Sequence, residues 1–327
     1  MTPSAVQATA DTPFEPARQP TMYFIGVTTG QSSIMKVFPR WAEHLGLEGA
    51  VIRGIDCRWH DDPAVYRHVV EFLKGDELSL GALVTTHKID LLDACRDLFD
   101  EFDAYAELLG EVSGISKSGS KLVGHAKDPI TSGLGLEAFL PEGHWEQTGA
   151  DALVLGAGGS SLAVTCYLMD ERHGANRPAA IHVTNRSTPR LEEMQRIHRQ
   201  IGCPLPVHYH HCPSPEQNDA VLAQVKPASV VMNATGLGKD APGSPLTSAA
   251  QFPEDGYAWD FNYRGDLLFL EQARAQQPQR RLHVEDGWVY FLHGWTRVIA
   301  EVFHVDIPTR GPAFDELSRI AAETRTG

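Results

Sequence analysis

The first feature of this sequence with a recognisable chemistry is a glycine-rich turn. Leu153-Val154-Leu155 reads as a short buried strand and runs into Gly156-Ala157-Gly158-Gly159-Ser160-Ser161, after which helical spacing begins at Leu162. Glycines at this spacing let the backbone turn tightly and approach an anion, while the N–H groups opening the next helix point at it. Ser161 stands where the third small residue of a dinucleotide fingerprint falls. The strand before and the helix after distinguish this loop from an incidental surface turn. Gly156, Ala157, Gly158, Gly159, Ser160 and Ser161 are therefore read as a pyrophosphate cradle.

The end of the next strand bears on which dinucleotide is bound. An NAD site places Asp or Glu there, to accept from the ribose 2′-OH. This chain instead reads Thr184-Asn185-Arg186-Ser187, with Arg190 three residues further on. Two guanidiniums and hydroxyls, with no carboxylate, suit a 2′-phosphate and favour NADP over NAD, with Asn185, Arg186 and Arg190 as its ligands. The same residues also read as a helix start, with Ser187 or Thr188 as N-cap and Pro189 in the first turn. His208-Tyr209-His210-His211-Cys212 contains zinc ligand types, but no second cluster at finger spacing accompanies it, so it reads as a strand and no metal is assigned.

These residues need a scaffold of alternating elements. Tyr23–Val27 reads as a strand, then helical spacing at Ile34–Leu47, a strand at Ala50–Asp56, a helix at Ala64–Gly75, a strand at Gly81–Thr85 and a helix at Ile89–Leu98. Gly110–Gly124 reads as loop-rich, and the polar segment Pro141–Ala150 as a boundary. Alternation then resumes: strands at Ala152–Leu155, Ala180–Thr184, Ser229–Asn233 and Ala258–Asp260, helices at Leu162–Met169 and Leu191–Ile201. Strands separated by helices imply βαβ units and a mainly parallel sheet.

The chain has 327 residues, long enough for two domains, and 28 Lys+Arg against 42 Asp+Glu give a net charge of −14. So acidic a chain argues against a nucleic-acid partner or an anionic membrane surface. Residues 1–21, rich in Thr, Ala and Pro, read as a disordered leader without the features of a signal peptide. Five widely spaced cysteines indicate no disulfide framework. Both point to a cytoplasmic protein, monomer or homodimer.

With these segments placed, the chain resembles the shikimate dehydrogenase family from about Tyr23 to Phe303. Val84-Thr85-Thr86-His87-Lys88 resembles the family's Val-Thr-x-Pro-x-Lys loop, and Gly124–Asp128 its Gly-x-Asn-Thr-Asp segment. Asn185-Arg186-Ser187 resembles Asn-Arg-Thr, and Val231-Met232-Asn233-Ala234-Thr235 the strand end beside the nicotinamide. Asp260-Phe261-Asn262-Tyr263 resembles Asp-x-x-Tyr, and Asp286-Gly287 the glycine before a returning helix. The resemblance implies an α/β fold: an N-terminal, mainly parallel α/β substrate domain (22–128), a Rossmann-type NADP domain (129–285), and C-terminal helices (286–327) packing on the first domain. It also implies that Lys88 and Asp128 form the acid–base pair. Hydride transfer to a ketone needs a proton donor at the developing alkoxide, and a carboxylate in reach holds the ammonium in place. Asn233, Ala234, Thr235 and Gly287 are implied to border the cofactor.

Departures from the family pattern concern the substrate. The family's Ser-x-Ser-Pro carboxylate clamp falls on Ser32-Ser33-Ile34-Met35, so only Ser32 matches and Ser33 substitutes only with a backbone shift. The lysine loop lacks its proline. Asn-Thr becomes Ser113-Gly114, a second Asn becomes Ala126, and the expected glutamine aligns with Gly294 beside His293. Each unpaired buried group costs about 1–3 kcal/mol, so shikimate would bind poorly. The expectation is an NADP(H)-dependent dehydrogenase of a small-molecule cyclic polyol or ketone, with Ser32, Ser33, Thr85, Tyr263 and His293 binding substrate. His87, His125 and Tyr290 are further candidate donors. Two alternatives are a genuine shikimate or quinate dehydrogenase and a non-catalytic ligand- and nucleotide-sensing module. Titration is expected to show NADPH binding more tightly than NADH; equal affinities would overturn the role given to Arg186.

Overall fold

The computed structural model describes residues 5–239 and 241–324. By internal packing the chain forms two units, residues 1–127 with 292–327, and residues 128–291.

The first unit opens with β1 (Val6–Gln7), β2 (Thr21–Gly26), α1 (Ile34–His44), β3 (Val51–Asp56), α2 (Pro63–Gly75), β4 (Ser79–Val84) and α3 (Lys88–Cys95). It continues through β5 (Glu101–Phe102), α4 (Ala104–Leu109), β6 (Gly114–Ser118) and β7 (Lys121–His125). The sheet order is β1-β3-β2-β4-β6-β7-β5. β1, β3, β2 and β4 run parallel, while β6 is antiparallel to both neighbours. Every residue of β2 is buried, as in a parallel strand covered on both faces.

Two expectations fail here. The leader is not disordered over its described residues; Met1–Ser4 lie outside them. Val6 and Gln7 pair with Ile55 and Asp56, Ala8 N donates to the Asp56 carbonyl at 2.8 Å, and Phe14 stacks on Phe72 at 4.7 Å. Ala8 and Ala17 are buried. The unpaired edge of β3 supplies hydrogen bonds that composition does not anticipate. Gly110–Gly124 is likewise mostly the β6–β7 hairpin rather than loop. Its glycines at 114 and 124 serve packing, since a Cβ would meet Val298 at 3.2 Å and Phe102 at 2.7 Å respectively.

The second unit comprises α5 (Asp128–Glu137), α6 (His144–Thr148), β8 (Ala152–Leu155), α7 (Gly159–Leu168), β9 (Ile181–Asn185), α8 (Thr188–Ile201), β10 (Val207–His211) and α9 (Pro215–Leu222). It ends with β11 (Val230–Asn233), β12 (Tyr257–Asp260), α10 (Leu268–Arg280), β13 (His283–Glu285) and the start of α11 (Trp288–Phe303). The sheet is parallel in the order β10-β9-β8-β11-β12-β13, a doubly wound arrangement. One apolar cluster on each face covers β8 and β11: Val154 and Met232 lie in one, Leu153 and Val231 in the other. Pro141–Ala150 is not a boundary. Trp145 lies in this unit's core and His144 Nε2 is 2.9 Å from the Ala228 carbonyl.

The chain rejoins the first unit at Leu292, not at Asp286. Residues up to Phe291 stay with the second unit because Tyr290 packs edge-on against Phe261 and Trp259. In the first unit, α12 (Pro312–Glu323) covers α1, and Trp41 Nε1 donates to the Leu317 carbonyl at 2.8 Å. Among the described residues, no helix is long and apolar enough to cross a membrane.

The β4–β6 pairing depends on Gly81. Its φ is +146°, and a Cβ there would lie 2.1 Å from the Ile115 carbonyl oxygen. Gly81→Ala is expected to cost about 2–4 kcal/mol, combining backbone strain with a clash against main chain. Denaturant midpoints would test this; an unchanged midpoint would contradict it.

Candidate active site

In the first unit, the C-terminal ends of β2, β3 and β4 deliver three loops to one edge of the sheet. After β2, a single 3-10 turn spans Thr29–Gln31. Thr29 donates from both N (2.8 Å) and Oγ1 (2.6 Å) to Asp56 Oδ1 at the end of β3, which locks the loop to its neighbour. Ser32 and Ser33 follow, both half-buried. Ile34 opens α1 fully buried and Met35 is 5% exposed, so the two positions where a carboxylate clamp needs its second serine and proline belong to the core.

After β4, Thr85 N donates to the Ile25 carbonyl and Thr86 takes a left-handed φ of +62°. Lys88 then opens α3, with His87 as the preceding cap residue. His87 is 1% exposed and its Nδ1 lies 3.1 Å from the Tyr66 hydroxyl; burial lowers its pKa, which keeps the ring neutral. It therefore supports the lysine turn from beneath.

Asp128 opens α5 as the first residue of the second unit, whereas Lys88 belongs to the first. The segment leading to Asp128 is pinned. Lys127 N donates to Ser113 Oγ at 2.8 Å, and Lys127 Nζ sits 2.6 Å from Glu301 and 3.4 Å from Asp103. Burial pushes the Asp103 carboxyl up, but His125, the Ala106 and Ala126 amides and Lys127 together hold it below its ordinary value. His125 also pairs with Ser116 Oγ at 2.8 Å. Ser113 and His125 are thus committed internally. Sequence reasoning missed Asp103 and Glu301; the one available signal was a lysine where the family has threonine.

His293 is 1% exposed, stacked on Phe314 at 4.4 Å, with its pKa lowered to about 4 by burial and by Arg297. A neutral ring packed in this way serves the core of the first unit. Its expected place among the substrate ligands has no support in its exposure.

In the second unit the glycine turn joins the end of β8 to the start of α7. Gly156 has φ +110°, its N donates to the Thr184 carbonyl, and a Cβ would stand 2.8 Å from the Ala234 carbonyl oxygen. Gly158 caps α7 with open space where a Cβ would project, and Gly159 begins the helix. Ala157 is nearly buried, Ser160 half-buried, and Ser161 fully buried with a hydroxyl lacking a partner. Space at Gly158 and the amides of α7 fit a pyrophosphate.

At the end of β9, Asn185 Nδ2 donates to the Ser187 carbonyl at 3.2 Å. Arg186 and Arg190 are exposed, and the nearby Glu193 is engaged by Arg196 at 2.7 Å. His211 Nε2 lies 3.2 Å from the Arg186 carbonyl, a backbone support invisible in the sequence pattern. His182, His208 and His210 stack face to face, with His182 Nδ1 3.1 Å from His210 Nε2, so their rings do not converge on a common centre.

Beyond β11, Asn233 Nδ2 donates to Asp260 Oδ2 at 2.9 Å, and Asn233 Oδ1 accepts from Thr235 N and Oγ1. Ala234 N donates to the Leu155 carbonyl, bringing Asn233–Thr235 alongside the glycine turn. Gly287 admits no side chain: a Cβ would stand 2.0 Å from the Phe261 carbonyl oxygen. Tyr263 packs with Phe291 and Trp288. Burial pushes the Asp260 carboxyl up to about 6 against hydrogen bonds from Asn262 and Asn233.

No family model matches the chain. It is 28% identical over 181 residues to the shikimate dehydrogenase (NADP(+)) of Streptococcus gordonii, a match covering 55% of this chain and 59% of that enzyme. The match therefore spans less than two thirds of that relative's length. Among solved structures, shikimate 5-dehydrogenase from Listeria monocytogenes matches with a TM-score of 0.71 at 17% identity, covering 95% of this chain and 99% of that one. The 5-ketofructose reductase of a Gluconobacter strain matches with a TM-score of 0.68 at 16% identity, covering 94% and 99%. The fold is the two-domain, Rossmann-type α/β fold of these enzymes.

Asp260 gives a pH signature. Its folded pKa of about 6 exceeds the ordinary 3.8, so its contribution to stability is fullest below about pH 4 and is lost as pH rises through 6. Asp260→Asn, which mimics the protonated acid, should gain thermal midpoint relative to wild type as pH rises from 4 to 7. Parallel pH curves for the two proteins would refute the assignment.

Proposed function

We propose that this chain, a divergent relative of the shikimate dehydrogenases, is an NADP(H)-dependent oxidoreductase that interconverts a neutral cyclic ketone and its alcohol. The observation that carries the oxidoreductase reading is the glycine turn of the second unit, fitted for a pyrophosphate, in a chain whose curated relative is named as an NADP(+) enzyme. Gly156–Ser161 hold the pyrophosphate, Asn185, Arg186 and Arg190 the 2′-phosphate, and Asn233, Ala234, Thr235 and Gly287 border the nicotinamide. A nicotinamide held there would supply the hydride for a carbonyl carbon.

Lys88 donates a proton from Nζ to the carbonyl oxygen as negative charge develops on it, and takes that proton back when the alcohol is oxidised. Asp128 is the carboxylate that the family resemblance pairs with this ammonium. Support comes from the position of Lys88 at a helix start directly after a parallel strand, on a turn buttressed by Thr85, His87 and Tyr66. Ser32, Ser33, Thr85 and Tyr263 supply hydrogen bonds to substrate hydroxyls.

Against shikimate as the substrate stands the burial of Ile34 and Met35, which puts apolar core side chains where a carboxylate clamp needs its second serine and its proline. A 5-ketofructose reductase with this fold shows that the architecture accepts a substrate outside the shikimate series. The name of the curated relative favours a second reading, shikimate itself. A screen of neutral cyclic ketones and sugar ketones with NADPH, beside shikimate with NADP⁺, separates the two. Turnover of a neutral ketone with very low shikimate oxidation is expected; brisk shikimate oxidation would overturn the clamp argument. On the best substrate, Lys88→Ala should lower turnover by about 10²–10⁴-fold with NADPH affinity nearly intact. Unchanged turnover would remove Lys88 from its role.

A further inference from the structure

The loop after β3, Cys57–Asp62, has no part in the reading above, yet it carries Trp59. At 68% exposure this is the most exposed large hydrophobic side chain among the described residues, and next comes Ile89 at 47%, directly after Lys88. Single exposed apolar residues are common and mean little alone. What sets this loop apart is how firmly it is held, and to what.

Cys57 N donates to the Gly26 carbonyl, and Arg58 N donates to the buried Asp61 carboxylate at 2.9 Å. Asp61 N in turn donates to the Tyr66 hydroxyl at 3.1 Å. The same buried hydroxyl lies 3.1 Å from His87 Nδ1, which joins the loop to the residue before Lys88. A second tether runs from His60 Nδ1 to Asp90 at 2.9 Å, two residues after Lys88. His60 has φ +48°, a left-handed conformation that a non-glycine residue keeps only where its surroundings impose it. A strained loop, fixed on both sides of the proposed proton donor, thus presents an exposed indole to solvent.

We propose that Trp59 is a substrate platform, its indole face packing against the C–H face of a neutral polyhydroxylated ring whose carbonyl is presented to Lys88. This inference rests on the function proposed above and deepens it. Such a ring has a polar rim and an apolar face, and an aromatic surface recognises the second without any charge. Where the carboxylate clamp is lost to Ile34, a stacked ring replaces the anchoring a carboxylate would supply.

The test uses the full chain with NADPH and a panel of neutral ketones headed by 5-ketofructose, comparing wild type with Trp59→Ala, Trp59→Phe and His60→Ala. Trp59→Ala should raise KM about tenfold while kcat stays within about threefold. NADPH affinity and thermal midpoint should not move, because the side chain is exposed and lies outside the nucleotide unit. Trp59→Phe should recover most of the loss, and His60→Ala, which cuts one tether, should shift KM in the same direction. Equal KM for Trp59→Ala and wild type, or a fall in kcat with KM unchanged, overturns the platform while leaving the oxidoreductase reading intact. Wild-type protein that binds NADPH but reduces no neutral ketone overturns that reading and the platform with it.

Discussion

Asn233 and Asp260 end neighbouring parallel strands in register, both fully buried, joined by a 2.9 Å hydrogen bond from amide to carboxylate. A buried carboxylate is tolerated only when its oxygens are filled. Asp260 meets this by accepting Asn233 Nδ2 on one oxygen and Asn262 N on the other. Both asparagine amides also donate to the Leu237 carbonyl, so the turns after the two strands share one polar centre. The glycine turn is set by the same centre, because Gly156 packs on the Ala234 carbonyl that follows Asn233. Gly287 rests on the Phe261 carbonyl that follows Asp260. If this pair were lost, three loops assigned to the cofactor would lose their common reference.

The first unit solves the same problem with different residues. Its parallel strands also end at one edge, and buried or half-buried polar side chains join one loop to the next: Asp56 holds Thr29, and Tyr66 bridges Asp61 and His87. In each unit, side-chain hydrogen bonds between adjacent strand ends take the place of loop flexibility. That is the arrangement expected where reacting groups must be held within fractions of an ångström. Lys88 follows a buttressed turn rather than a mobile arm, and the exposed indole of Trp59 stands on another such loop.

Much of this was legible in the sequence where a local rule acts. Strands β2, β8 and β11 were readable because parallel strands buried on both faces are short, continuous apolar runs, and the glycine turn because strand, loop and helix follow in order. The leader was not legible. Val6, Gln7 and Phe14 acquire partners only when the edge of β3 and the face of α2 exist, so no periodicity announces them. The β6–β7 hairpin was missed because Gly114 and Gly124 look like loop residues, while the side chains that pack on them, Val298 and Phe102, are distant in sequence. The burial of His293 was hidden for a related reason: its neighbour Phe314 lies 21 residues away on another helix.

By itself, then, the sequence determined the class of fold, the position of the glycine turn between β8 and α7, the two arginines without a carboxylate after β9 and the apolar residues at 34 and 35. Each of these is written in contiguous residues, where spacing and residue type act through the local backbone. Only the tertiary structure decided which polar groups remain available. It committed Ser113 and His125 to internal hydrogen bonds, buried the His293 ring against Phe314 and set Ile34 in the core. It also left Trp59 exposed on a loop held at two points beside Lys88. The physical reason is that hydrogen-bond satisfaction and burial are properties of neighbours in space, and neighbours dozens of residues apart are chosen by the packing of whole elements.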